Sequence, residues 1–216
     1  EYMFDVLQVS SLASIHDLRK AASEVVKFGD NPKLSGLVYP IMQMIDEQYL
    51  GADVQYGGAD QRKIFMFARE YHKKIGYKPR VEVMTPLIQG LVGKKMSASD
   101  EKSKIDLLDD DKAIRSKIQN AECVAGNPDN GIMAFLKYVI MIMKQDNGEK
   151  FTVKRSREHG GDLDYKNYEQ IERDFNAKKL HPLDLKNAVS EEIISLLRPI
   201  HKYRKELELL AKKAYS

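Results

Sequence analysis

The sequence predicts an α/β chain in which a nucleotide-type fold is followed by a domain made only of helices. Three observations carry that expectation. The run Ala52-Asp53-Val54-Gln55-Tyr56 reads as a short buried strand, Gly57-Gly58 as a turn, and residues 61–74 as a helix. Strand, glycine turn, helix is the rhythm of folds that gather ligands at the carboxyl ends of their strands. Residues 80–84 supply the next strand, and the chain beyond Leu108 reads as helical, with helices at 110–121, 129–143, 166–178, 182–197 and 199–214 joined by short polar turns.

Taken in order, residues 11–28 read as an amphipathic helix, with Leu12, Ile15, Leu18, Ala22, Val25 and Val26 near helical spacing. Such a stripe suits an ordinary core face and a subunit interface equally. Residues 34–50 read as a second helix entered through Pro40, whose fixed φ suits a first turn. On it Tyr39, Gln43 and Asp46 stand at i, i+4 and i+7, so all three point to one side. A polar stripe among apolar neighbours needs partners, since an unpaired buried neutral group costs roughly 1–3 kcal/mol. A polar ligand or a satisfied core network would each supply them. Gly57 and Gly58 let the backbone come close to a ligand, and Asp60 just beyond can accept from ribose hydroxyls or cap the helix that follows. Asp109, Asp110 and Asp111 place acids at the positive end of the 110–121 helix. Residues 144–158 and 160–163 read as connectors, and Pro182 and Asp184 mark the start of the 182–197 helix. The expected division is 1–108 and 109–216.

The loop Gly93-Lys94-Lys95-Met96-Ser97-Ala98-Ser99 is the strongest chemical signal. Two mobile ammonium groups and two hydroxyls suit charge developing on a leaving pyrophosphate. A solvated surface loop has the same composition, so its neighbours decide between the two.

With 43% hydrophobic and 31% charged residues the chain reads as soluble and globular. Its formal charge of +3 and pI near 8.7 permit a nucleic-acid partner without requiring one. Any such surface must come from local clusters: Lys178, Lys179 and Lys186, then His201, Lys202, Arg204, Lys205, Lys212 and Lys213. One cysteine, Cys123, excludes an internal disulfide and agrees with a reducing, cytoplasmic setting. The apolar run 132–143 is broken by Lys137, so no membrane span is expected.

The stretches 39–46, 53–63, 93–99 and 181–189, taken in this order, closely resemble tyrosyl-tRNA synthetases of the archaeal and eukaryotic type over essentially the whole chain. The resemblance implies the second half of a class I Rossmann-like catalytic domain, including its dimer-interface insertion, followed by an all-α anticodon-binding domain. It implies ATP-dependent activation of tyrosine, transfer to tRNA(Tyr), Mg²⁺ accompanying ATP with no protein metal site, and a cytoplasmic homodimer. The 95–99 segment is similar to the family's second signature, Lys-Met-Ser-Lys-Ser, with Ala98 in place of the second lysine. Lys95 is then the main catalytic residue, supported by Lys94, Ser97 and Ser99. Tyr39, Gln43 and Gln61 hold the substrate's α-amino group and Asp46 accepts its phenol; Gly57, Gly58, Asp60, Lys95 and Met96 meet ATP. The pattern His181-Pro182-Leu183-Asp184 assigns Asp184 to the first anticodon base, with His181, Cys123 and His159 near it. The family's first signature, His-Ile-Gly-His, has no match in residues 1–38, where the only histidine is His16. That absence supports a fragment of a catalytic core, and admits a second reading as a non-catalytic tRNA-binding or signalling fragment of the same family.

Overall fold

The computed structural model describes residues 1–93, 96 and 100–214. The chain divides into two compact units, Glu1–Leu87 and Ile88–Ser216. The described residues of 88–108, a stretch assigned by sequence to the catalytic half, therefore fall in the second unit. Leu91, 3% exposed, belongs to that unit's core, and its carbonyl accepts from Glu122 N at 2.9 Å.

In the first unit the single helix expected over 11–28 is two. Helix α1 spans Tyr2–Leu12 and α2 spans Ile15–Ala22. Ser14 separates them: its backbone is extended, and its hydroxyl accepts from Asp17 N at 3.1 Å, satisfying a donor the new helix start would otherwise orphan. Val25 and Val26 fall beyond α2. Helix α3 spans Leu34–Tyr49, so Pro40 lies in its interior rather than its first turn. Strands β1 (Val54–Gly58) and β2 (Val81–Thr85) pair in parallel, Val54 against Val81 and Gly58 against Thr85. Between them run a 3-10 turn at Ala59–Gln61 and helix α4, Arg62–Lys74, completing a βαβ unit. The core lies among the helices, where Val9, Ile41, Met44 and Ile45 are fully buried. The first strand, expected to be buried, leaves Val54 and Tyr56 exposed by 54% and 70%, and Val81 of β2 is 60% exposed.

The second unit is not purely helical. Helix α5 spans Asp111–Asn120, its N-cap Asp110 accepting from Ala113 N at 2.7 Å. One continuous helical rod follows, α6 (Gly131–Phe135), a π-helical turn (Leu136–Ile140) and α7 (Met141–Asp146). The stretch read as connectors then forms an antiparallel ribbon, β3 (Phe151–Val153) on β4 (Leu163–Tyr165). Phe151 and Val153 are buried while Thr152 faces out, the period of two that makes a strand, but three residues are too short for that pattern to stand out in sequence. Helices α8 (Tyr168–Asn176), α9 (Pro182–His201) and α10 (Arg204–Ala214) complete the unit. Helix α9 runs through Pro199, where sequence placed the start of another helix.

Candidate functional site

Helix α3 turns opposite faces to two environments. Ile41, Met44 and Ile45 are buried, while Tyr39, Gln43 and Asp46 line an open cleft of about 450 Å³ with Gln55 and Tyr56 of β1, Gln61 and Phe65. All four residues expected to bind an amino acid therefore meet in one cleft. The polar stripe is not an internal network: Tyr39 is 46% exposed and Asp46 is exposed. Gln43 Nε2 donates to Gln61 Oε1 at 3.2 Å, which joins α3 to the turn after β1.

Asp46 already has a partner that sequence reasoning missed. The Tyr2 hydroxyl lies 2.6 Å from Asp46 Oδ1 and 3.1 Å from the Met42 carbonyl. Burial, the hydrogen bond to Asp46 and the charge of that carboxylate push the Tyr2 hydroxyl up to about 12. Nothing local in the sequence links positions 2 and 46. Gln55 and Tyr56 were legible only as strand residues before the glycine turn.

Gly57 and Gly58 end β1 beside this cleft. A Cβ on Gly57 would sit 2.9 Å from Cζ of the fully buried Phe65, so close packing explains that glycine; one on Gly58 would sit 2.6 Å from Asp60 Oδ1, the tip of a side chain that can turn aside. Neither the 3-10 turn nor α4 has a side-chain cap, so Asp60 is not used in that way. Lys94, Lys95, Ser97 and Ser99 lie outside the described residues; Met96 is half-buried.

The buried face of α3 holds an ionisable cluster. Glu47 is 3% exposed and His72 of α4 fully buried, with His72 Nδ1 3.8 Å from Glu47 Oε2. Burial, reinforced by the nearby Glu82 carboxylate and opposed by Arg80, pushes Glu47 up to about 7, while burial lowers His72. Both shifts favour the uncharged forms, so the pair is a contact between neutral groups at pH values below the Glu47 midpoint and above that of His72. His72 Nε2 meets the Met44 carbonyl at 2.9 Å, which fixes the proton there and leaves Nδ1 as an acceptor.

In the second unit the predicted anticodon residues gather about the α8–α9 junction. His181 caps α9, its Nδ1 accepting from Leu183 N at 3.2 Å, and half-buried Asp184 lies in the first turn. The turn bearing exposed His159 is tied to the junction by Arg155, which donates to Gly161 O at 3.0 Å and Lys179 O at 3.3 Å. Gly126 packs against Lys178 and Asn176, bringing the loop of Cys123 to the same end. Burial raises the Cys123 thiol, opposed by Lys186. Lys178 itself has φ 58°, a non-glycine residue in the left-handed conformation that ends α8. Among the described residues no group of three or more His, Cys, Asp or Glu side chains is placed to hold a metal ion, and no helix is long and apolar enough to cross a membrane.

A βαβ unit with a polar cleft beside its first strand, followed by a largely helical unit, suits a nucleotide-handling fold, in which ligands gather at the carboxyl ends of strands. Residues 1–198 match the family model for class I tRNA synthetases (W and Y), and the chain belongs to that family. Its relatives narrow the comparison to tyrosine. The chain is 44% identical over 218 residues to the cytoplasmic tyrosine–tRNA ligase of Danio rerio, covering all of this chain and 40% of that protein. It is 42% identical over 224 residues to that of Saccharomyces cerevisiae, covering all of this chain and 57% of the relative. The solved tyrosyl-tRNA synthetase of Archaeoglobus fulgidus, complexed with L-tyrosine, superposes with a TM-score of 0.82 at 37% identity, over 94% of this chain and 62% of that one. The chain thus spans about two fifths of the vertebrate relatives it matches.

Proposed function

We propose that this chain is the part of a tyrosine–tRNA ligase that holds the amino acid, closes on ATP and reads the anticodon. The observation that carries this reading is the convergence of Tyr39, Gln43, Asp46 and Gln61 on one cleft. An ammonium needs several acceptors, which the Tyr39 oxygen and the two amide oxygens supply, and a phenol needs an acceptor at the far end, which is Asp46.

A tyrosine carboxylate oxygen attacks the α-phosphorus of ATP; the new O–P bond forms as the bridging bond to the β-phosphate breaks, giving tyrosyl-adenylate and pyrophosphate. A hydroxyl at the tRNA 3′ end then attacks the acyl carbon and AMP leaves. No side chain acts as nucleophile, so the chain contributes positioning and charge stabilisation. Lys95, with Lys94, Ser97 and Ser99, offsets charge on the departing pyrophosphate; Gly57, Gly58, Asp60 and Met96 meet the nucleotide. Mg²⁺, bound to ATP rather than to a protein site, would supply further charge neutralisation. Asp184 accepts from the first anticodon base, with His181, Cys123 and His159 around it. The same reading includes a cytoplasmic location and a homodimer, for which the apolar side chains Met3, Phe4 and Leu7 on α1, exposed by 59%, 69% and 64%, offer a surface.

In the complete enzyme, Lys95→Ala should slow tyrosine-dependent ATP–pyrophosphate exchange by roughly 10²–10³-fold while changing tyrosine binding little. An unchanged exchange rate would remove Lys95 from the chemistry, and no exchange by the parent enzyme would overturn the proposed function itself.

A further inference from the structure

We propose that Tyr2 is a positioning residue for the amino-acid site: its hydroxyl clamps one oxygen of Asp46, leaving the other to receive the hydroxyl of the substrate. The inference rests on the tyrosine reading of the cleft. Tyr2 and Asp46 lie on different helices, α1 and α3, and their 2.6 Å contact is a phenol donating to a carboxylate, the shorter and charge-assisted of the two contacts that hydroxyl makes. A carboxylate at the edge of an open cleft otherwise rotates freely and is hydrated on both oxygens. With Oδ1 engaged and the carboxylate held in one orientation, Oδ2 offers an incoming donor the larger acceptor capacity.

The clamp is itself anchored. The Tyr2 ring meets the Tyr49 ring edge-on, centroids 5.1 Å apart. Tyr49 of α3 donates back to Asp5 of α1 at 2.9 Å, and Tyr77 donates to the same Asp5 oxygen. Tyr2 and Asp5 are three positions apart on α1, as are Asp46 and Tyr49 on α3, so each helix gives one tyrosine donor and one aspartate acceptor. Asp5 is 7% exposed and serves the helix contact, whereas Asp46 is exposed at the cleft. The two halves of this crossed pair are chemically alike, but only the Tyr2–Asp46 half touches the cleft.

A ligand without a hydroxyl draws nothing from the clamp, so its effect is on selectivity. In the complete enzyme, Tyr2→Phe keeps the ring and removes the donor. Pyrophosphate exchange should show KM for tyrosine raised about tenfold, kcat little changed, and kcat/KM for phenylalanine unaltered. Tyr49→Phe, which breaks the other half, should lower thermal stability and leave the tyrosine-to-phenylalanine preference intact. In an Asp46→Asn background, Tyr2→Phe should add no further loss. Equal loss of preference in Tyr49→Phe, an unchanged preference in Tyr2→Phe, or a full further loss on top of Asp46→Asn would each overturn the clamp. A parent enzyme that does not activate tyrosine at all would instead overturn the function on which the clamp rests.

Discussion

The two units differ in what they place inside. The Ile88–Ser216 unit closes on a continuous apolar interior in which Ile114, Met133, Phe151, Phe175, Leu185 and Val189 are all fully buried. The Glu1–Leu87 unit buries fewer apolar side chains and sets Asp5, Glu47 and His72 among them, while leaving strand residues such as Tyr56 exposed. One interior is held by shape and apolar area, the other partly by hydrogen bonds whose strength depends on protonation. The difference follows from position: α3 turns Tyr39, Gln43 and Asp46 to the open cleft, so its back face carries the groups that fix its orientation.

The largest expected effect lies in the apolar unit. Phe175→Ala empties a fully buried ring site on α8 and should cost roughly 3–5 kcal/mol, the usual range for truncating a buried aromatic. Urea melts at pH 5 and pH 8 should show the same loss, because the ring is uncharged and burial raises the neighbouring Tyr165 and Tyr168 hydroxyls further above that range. A loss that changed markedly with pH would erase the contrast between the units.

Much of this layout was legible in the sequence, for a physical reason. Helix periodicity gave α3, α4, α5 and α8 to within a few residues, and the i, i+4, i+7 spacing of Tyr39, Gln43 and Asp46 forced them onto one face wherever that face pointed. Gln61 was expected beside them only through the family resemblance, and the structure brings it there at the turn after β1. What periodicity could not supply was long-range pairing. Tyr2 meets Asp46, and His72 meets Glu47, across distances in the chain that no local pattern encodes. Short strands such as Phe151–Val153 carry too few residues to declare a period, and Pro40 misled because proline suits a first turn yet is also accommodated in a helix interior.

A middle-sized effect tests the polar interior. Glu47 titrates near 7 in the folded chain against an ordinary 4.5, so its protonated form is favoured by folding. That contribution is complete below about pH 4.5 and is lost as pH rises through 7. His72 acts in the opposite sense: lowered from 6.5, it stabilises the fold above that value and withdraws the contribution as pH falls through its folded value. Glu47→Gln keeps the shape, cannot ionise, and offers an amide donor toward the unpaired His72 Nδ1. The variant should be more stable than the parent at pH 8, on the order of 2 kcal/mol, and near parity at pH 5. Thermal melts across that range check the sign. A variant equally destabilised at both values would mean that Glu47 is held ionised by Arg80, and that the interior is an ion pair rather than a neutral contact.

The smallest effect concerns charge on the outside of the apolar unit. Arg115 of α5 and Glu191 of α9 form an ion pair whose side chains are 47% and 59% exposed. The hydrogen bond between them raises the arginine and lowers the glutamate, but water and salt screen the pair at this exposure. Arg115→Gln should therefore shift stability by less than about 1 kcal/mol, with the difference shrinking further in 1 M salt. The contrast with Glu47 is one of surroundings rather than of charge: a carboxylate at the surface exchanges one good partner for water, whereas one behind α3 has no water to exchange for. A loss at Arg115 as large as the Glu47→Gln gain, and insensitive to salt, would show that the α5–α9 contact depends on this pair and not on the buried Ile114, Ile118 and Val189 beneath it.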